Sequence, residues 1–162
     1  MSADKDKPHV HVLPEDDANR EIAIGFRLRL TGDHRCFQVL KSAGGWTNVI
    51  AAFIKDYIIK LRNNSNIYVI LLIDFDQHAE RRSDVMASIP GDLRDRVFVI
   101  GAWSNPESLS QARPGGFEAI GMKLAEDCSS GSNSTWNHEL LTHNAEEIAR
   151  MTPILKPMLF PN

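Results

Sequence analysis

The chain holds 162 residues, 43% of them apolar and 24% charged, with a formal net charge of −3. That length suits a single domain over 1–162, with a core over 8–128 and a C-terminal helix and extended tail over 129–162. The slight acidity excludes a strongly basic nucleic-acid binder acting alone, because neutralising phosphates takes a surplus of Lys and Arg. Residues 1–8 carry no apolar signal-peptide core, and the longest apolar run, 68–73, is too short to cross a bilayer. The expectation is a cytoplasmic protein without a membrane partner. Cys36 and Cys128 match no zinc spacing and are expected as unpaired thiols of a reducing compartment.

Residues 9–13 (HVHVL) read as a short strand that Pro14 ends. Ala18, Ile22, Phe26 and Leu30 recur at four-residue steps, which predicts a helix over 16–30 capped by Asp16 or Asp17. A second strand is expected over 36–40, closed by Ser42-Ala43-Gly44-Gly45. Val49, Ala52, Phe53, Tyr57 and Leu61 mark the buried face of a helix capped by Thr47 or Asn48, and 63–66 (NNSN) stops it. The run 68–73 (YVILLI) is apolar without alternation, as expected of a strand covered on both faces in a central parallel position. A charged stretch over 78–84 leads into a short helix near 85–88. Pro90-Gly91 makes a turn, and 97–101 is a fourth strand.

Residues 104–116 are rich in Ser, Pro and Gly and read as a loop. A helix follows over 117–127, a loop over 129–134, and a last helix over 136–151. Pro153, Pro157 and Pro161 predict an extended end. The order β-α-β-α-β-(α)-β-α-α implies parallel pairing through right-handed crossovers. The fold class is therefore α/β: a three-layer sandwich around a small, mostly parallel four-stranded sheet.

Two acidic clusters stand where apolar strands stop: Glu15-Asp16-Asp17 after the first, and Asp74-Phe75-Asp76 after the third. In a parallel sheet the strand C-termini share one edge, where ligands bind. If extended geometry persists through Asp76, Asp74 and Asp76 face one spot, since residues i and i+2 of a strand point the same way. Should the first and third strands be neighbours, the clusters lie ~5–10 Å apart. Carboxylates gathered there repel unless a cation neutralises them. Oxygen donors without His or Cys favour Mg²⁺ or Mn²⁺ over Zn²⁺, and such ions serve phosphodiester hydrolysis. The plainer alternative for Asp16 and Asp17 is helix capping.

The pattern resembles the TOPRIM domain, the metal-binding module of topoisomerases, DnaG-type primases and OLD-family nucleases. That family has a Glu ending its first strand, a Gly-containing turn after the second and a DxD motif ending the third. The matching residues are Glu15 in HVLPEDDAN, Gly44 and Gly45 in KSAGGWT, and Asp74 and Asp76 in LLIDFDQ, so the likeness covers residues 8–101. It implies that Glu15 is general base or acid and a metal ligand, that Asp74 and Asp76 hold Mg²⁺ or Mn²⁺, and that Asp17 adds a ligand or an outer contact. Two positions depart from the pattern. Asp16 replaces the usual Gly after the Glu, and Asn19 stands where OLD-type nucleases often carry an acid, which argues against a two-metal mechanism.

The resemblance implies a basic residue near the metal. Lys41, at the end of the second strand, is the catalytic candidate, and Lys123 is a second. His78, two residues after Asp76, is a candidate for orienting water or touching phosphate. His9 and His11 alternate with Val10 and Val12, so both are expected on one sheet face. Arg81-Arg82 and Arg94-Arg96 are expected to flank the same sheet edge, within reach of a phosphate backbone, with a solvated charged loop as the favoured plainer reading. The expected activity is that of a nuclease cleaving phosphodiesters, with DNA placed ahead of RNA. The expected partner is an ATPase of a defence-type system, or a second copy of the chain. Three readings compete: a receiver-like phosphoacceptor with Lys156-Pro157 near its end, a haloacid-dehalogenase-like phosphatase suggested by DFD, and a non-catalytic subunit that docks on an ATPase.

Overall fold

The computed structural model describes residues 6–104, 106–112 and 115–161, so the expected polar start is described only from Asp6 onward. Four strands, β1 (His9–Pro14), β2 (Phe37–Val39), β3 (Ile67–Leu72) and β4 (Val97–Ile100), form one all-parallel sheet in the order β2-β1-β3-β4. β1 and β3 are neighbours in register from His9↔Ile67 to Pro14↔Leu72.

Helices cover both faces. On one face, Val49 of the helix α2 (Trp46–Ala52), Phe53 just after it and Leu61 of the continuation α3 (Ile58–Asn63), with Val85 of α4 (Arg81–Ala87), bury Val69, Leu71, Ile73, Val97 and Val99. On the other, α1 (Asp17–Leu28), α6 (Gly116–Ser130) and α7 (Ala145–Leu159) bury Val10, Val12, Ile70, Leu72, Phe98 and Ile100. β3 sends alternate side chains into each core, so every one of its inward positions must be apolar. The result is the expected three-layer α/β arrangement.

α1 and α6 meet backbone to backbone. A β-carbon at Gly25 would overlap the Glu118 carbonyl oxygen, and one at Gly121 would overlap that of Ile22.

Several elements differ from expectation. The second helix is capped by Gly45 at φ 135°, not by Thr47 or Asn48. Asn48 instead donates its amide to the carbonyls of Ala43 and Gly44 at 3.3 and 3.0 Å. Between α2 and α3 a π-helical turn spans Phe53–Tyr57. The stretch expected as a loop holds α5 (Pro106–Ala112), begun by a proline whose missing N–H costs nothing in the first turn; residues 105, 113 and 114 lie outside the described residues.

The last helix starts at Ala145, not 136, and continues through Pro153 and Pro157. Before it, the Asp127 carboxylate collects the N–H groups of Thr135 (2.7 Å) and Trp136 (3.2 Å) and the hydroxyls of Ser132 and Ser134, which holds the segment as turns. The two prolines stand four residues apart on the exposed side of α7, while Leu155 and Leu159 bury the other side. Burial of that apolar stripe outweighs the proline penalty.

The start of α7 also closes the outer edge of β4. Val99 N–H donates to Glu147 Oε2 (2.8 Å), Arg150 donates to the Val97 carbonyl (2.6 Å), and the Asn144 amide both accepts from and donates to the backbone of Gly101 (3.2 and 3.0 Å).

Candidate functional site

β1 and β3 deliver the two acidic clusters side by side at the C-terminal edge of the sheet. Glu15 N–H donates to the Leu72 carbonyl at 2.9 Å, extending the ladder by one residue. The Gly44-Gly45 turn after β2 folds over it: the N–H groups of Gly44 and Gly45 donate to the Glu15 carbonyl at 2.8 and 3.2 Å. At Gly44 (φ 88°) and Gly45 (φ 135°) the backbone is in the region that favours glycine. The Glu15 side chain reaches the third strand, where Oε2 accepts from the Asp74 N–H at 2.6 Å.

Asp74 is buried at 6% exposure. Its Oδ1 accepts from the side-chain amide of Asn19 at 3.1 Å, and the same amide donates to Asp16 Oδ1 at 3.0 Å. Asp16 also caps α1 by accepting the Asn19 backbone N–H at 2.9 Å. Asn19, 1% exposed, thus clamps one acid of each cluster. Burial, and after it the charges of Glu15, Asp16 and Asp76, push Asp74 up to about 7 against the partial relief given by Asn19. Burial likewise raises Glu15, helped by Asp16 and Asp76 and opposed by the Asp74 amide and Arg81.

Asp76 does not share a direction with Asp74. The strand geometry ends before it: Asp76 and Gln77 have φ of 50° and 61°, two successive left-handed residues without a glycine. The Asp76 carboxylate lies half in solvent and pairs with Arg81 at 3.1 Å. Arg81, itself buried, also donates to the Asp74 carbonyl at 2.9 Å and stacks 4.3 Å from the Trp46 ring centroid.

The remaining candidates are dispersed. Asp17 is exposed and accepts the Ser42 hydroxyl at 2.6 Å, and Lys41 and Lys123 are exposed. His78 is exposed, 3.6 Å from Glu80. His9 and His11 do share a face, their ring centroids 5.2 Å apart, but His11 bonds the Tyr57 hydroxyl at 2.7 Å and burial lowers it to about 4. Arg94 and Arg96 lie just before β4, at the opposite edge from Arg81, where Arg96 donates to the carbonyls of Leu61, Asn64 and Ile67. They do not flank the acidic edge.

Sequence reasoning missed the roles of Asn19 and Arg81. Asn19 drew notice only as a departure from a family pattern, and Arg81 only as half of a basic pair at the sheet edge, not as the partner of Asp76. Among the described residues, no three His, Cys, Asp or Glu side chains are gathered on a common ligating point. The edge does gather acids: Glu15, Asp16, Asp74 and Asp76 all stand there, and Asp74 is held in a position that disfavours its charge. No helix of the described residues is long and apolar enough to cross a membrane. Comparison with protein-family models, curated proteins and solved structures finds no match.

Proposed function

We propose that this chain is a TOPRIM-like, Mg²⁺- or Mn²⁺-dependent phosphodiesterase acting on nucleic acid. The observation that carries the reading is the meeting of Glu15 and Asp74 across neighbouring strands, with the Glu15 carboxylate on the Asp74 amide. Asp74, Asp76 and Glu15 are the residues that would hold the cation, with Asp16 rather than Asp17 beside them. Bound there, the ion supplies positive charge to a leaving oxygen and acidifies water. Asn19 fixes the rotamer of Asp74, and Arg81 holds Asp76 until it is claimed as a ligand. Glu15, its pKa raised, orients water and accepts its proton. The left-handed pair Asp76-Gln77 supports the reading, because such strain persists where a site requires it. With a net charge of −3, the chain relies on a second copy or an ATPase partner to supply the cationic surface for DNA.

The reading is tested on supercoiled plasmid with purified chain. Mn²⁺ or Mg²⁺ should support nicking that chelation stops, and Asp74→Ala and Glu15→Ala should each lower the rate by at least about 100-fold. Calorimetry should detect Mn²⁺ uptake by the wild type and not by Asp74→Ala. A chain that takes up no manganese, or whose nicking survives both substitutions, is not this enzyme.

A further inference from the structure

A second space lies on the other side of Asn19, inside the layer formed by α1, α6 and α7. A cavity of about 100 Å³ opens there against the sheet, walled by aliphatic and aromatic side chains such as Val12, Phe26, Ile70, Leu124 and Leu155. It adjoins a wetter pocket of about 300 Å³ formed by the turns at 131–137 and by α7. Cys128, Trp136, Ile148, Thr152 and Lys156 line both, so the two spaces share one wall.

An apolar space of this size is uncommon in a core that otherwise packs closely. Its chemistry is graded. The inner space is apolar, and Cys128 keeps it so, since burial pushes that thiol up to about 11 and leaves it neutral. The outer space holds two charges. Asp127 is buried and its carboxylate accepts four donors, the hydroxyls of Ser132 and Ser134 and the N–H groups of Thr135 and Trp136. Lys156, half-buried at the junction, brings the positive charge.

We propose that this composite pocket binds a short-chain aliphatic carboxylate, its tail in the apolar chamber and its carboxylate at the Lys156 ammonium. An engineered cavity of about 150 Å³ accommodates benzene. By that scale the chamber takes roughly four or five carbons. Pentanoate and hexanoate fit; acetate leaves the chamber unfilled, and an alcohol of the same length leaves Lys156 unanswered.

The experiment is a two-dimensional NMR titration of the full chain with sodium hexanoate, followed on the methyl groups of Val12, Ile70, Leu124 and Leu155, with acetate and 1-hexanol as comparators. Hexanoate should shift these methyls saturably and bind at least about tenfold tighter than either comparator. Lys156→Gln, at a partly exposed position that leaves the fold intact, should erase the preference for hexanoate over hexanol. Ile148→Phe, which fills the shared wall, should abolish binding of both in a chain whose circular dichroism is unchanged. Absence of saturable shifts up to about 10 mM, equal affinity for acetate and hexanoate, or an unaltered hexanoate preference in Lys156→Gln would each overturn the proposal. None of these readouts depends on phosphodiesterase activity.

Discussion

At the scale of single residues, Asp74 carries the sharpest consequence. Its carboxyl is raised from an ordinary 3.8 to about 7 by burial and by neighbouring acids. Between those values the folded state holds a proton that the unfolded state has released. The fold therefore gains from Asp74 at low pH and loses that gain as pH rises through about 7. In chelator-treated protein, Asp74→Asn should keep the acceptor that Asn19 uses and remove the penalty. We expect a higher Tm than wild type at pH 8, by a margin that shrinks towards zero near pH 4; equal margins at both pH values would contradict the assignment. Asp74 was legible in the sequence because an acid directly after YVILLI has nowhere apolar to go. Arg81 was not. Its partner Asp76 is placed by a left-handed turn that no strand periodicity anticipates, and its stacking on Trp46 joins residues 35 positions apart in the chain.

At the scale of elements, the strands, the first three helices and α6 follow from local pattern, and α5 and α7 do not. The periodic apolar residues of α1 and α2, and the unbroken run of β3, report burial directly. α7 was hidden by its prolines, whose penalty is a local property, whereas the stripe of Leu155 and Leu159 that overcomes it is a tertiary one. The start of α7 was hidden for a related reason: Asp127 recruits the backbone of 135–136 from a distance in sequence that short-range rules do not cover. What ties α7 down is Glu147, 1% exposed, which accepts from Arg82 (2.9 Å), Arg150 (2.8 Å) and Val99 N–H (2.8 Å). Those bonds, Arg150 foremost, hold its carboxyl below the ordinary range although burial opposes them. Its stabilising contribution is thus present above pH 4.5 and fades as acid titrates the folded carboxylate. Glu147→Ala leaves two guanidinium groups and an amide without their acceptor. We expect a loss of roughly 3 kcal/mol in urea unfolding at pH 7, from the cost of breaking a buried ion pair. A loss under about 1 kcal/mol would mean that the edge of β4 is held by other contacts.

At the scale of the whole molecule, the acidic edge and the helical layer beneath it are linked through Asn19, which touches Asp74 on one side and lines the apolar chamber on the other. On the proposed function, cation binding and folding are linked as well. An ion held at the acidic edge would stabilise the folded chain by mass action and compete with the proton on Asp74. Thermal unfolding with and without Mn²⁺ should show a Tm increase that is larger at pH 8 than at pH 6. An ion effect independent of pH would place manganese elsewhere.

The arrangement of Asn144, Glu147 and Arg150 along β4 sets a limit on assembly. With the backbone valences of Val97, Val99 and Gly101 already taken from the flank, a foreign strand cannot be appended there unless α7 first peels away. Any lateral growth of the sheet, by a companion's peptide or by misassembly, is diverted to the short β2 margin, which offers three residues of ladder.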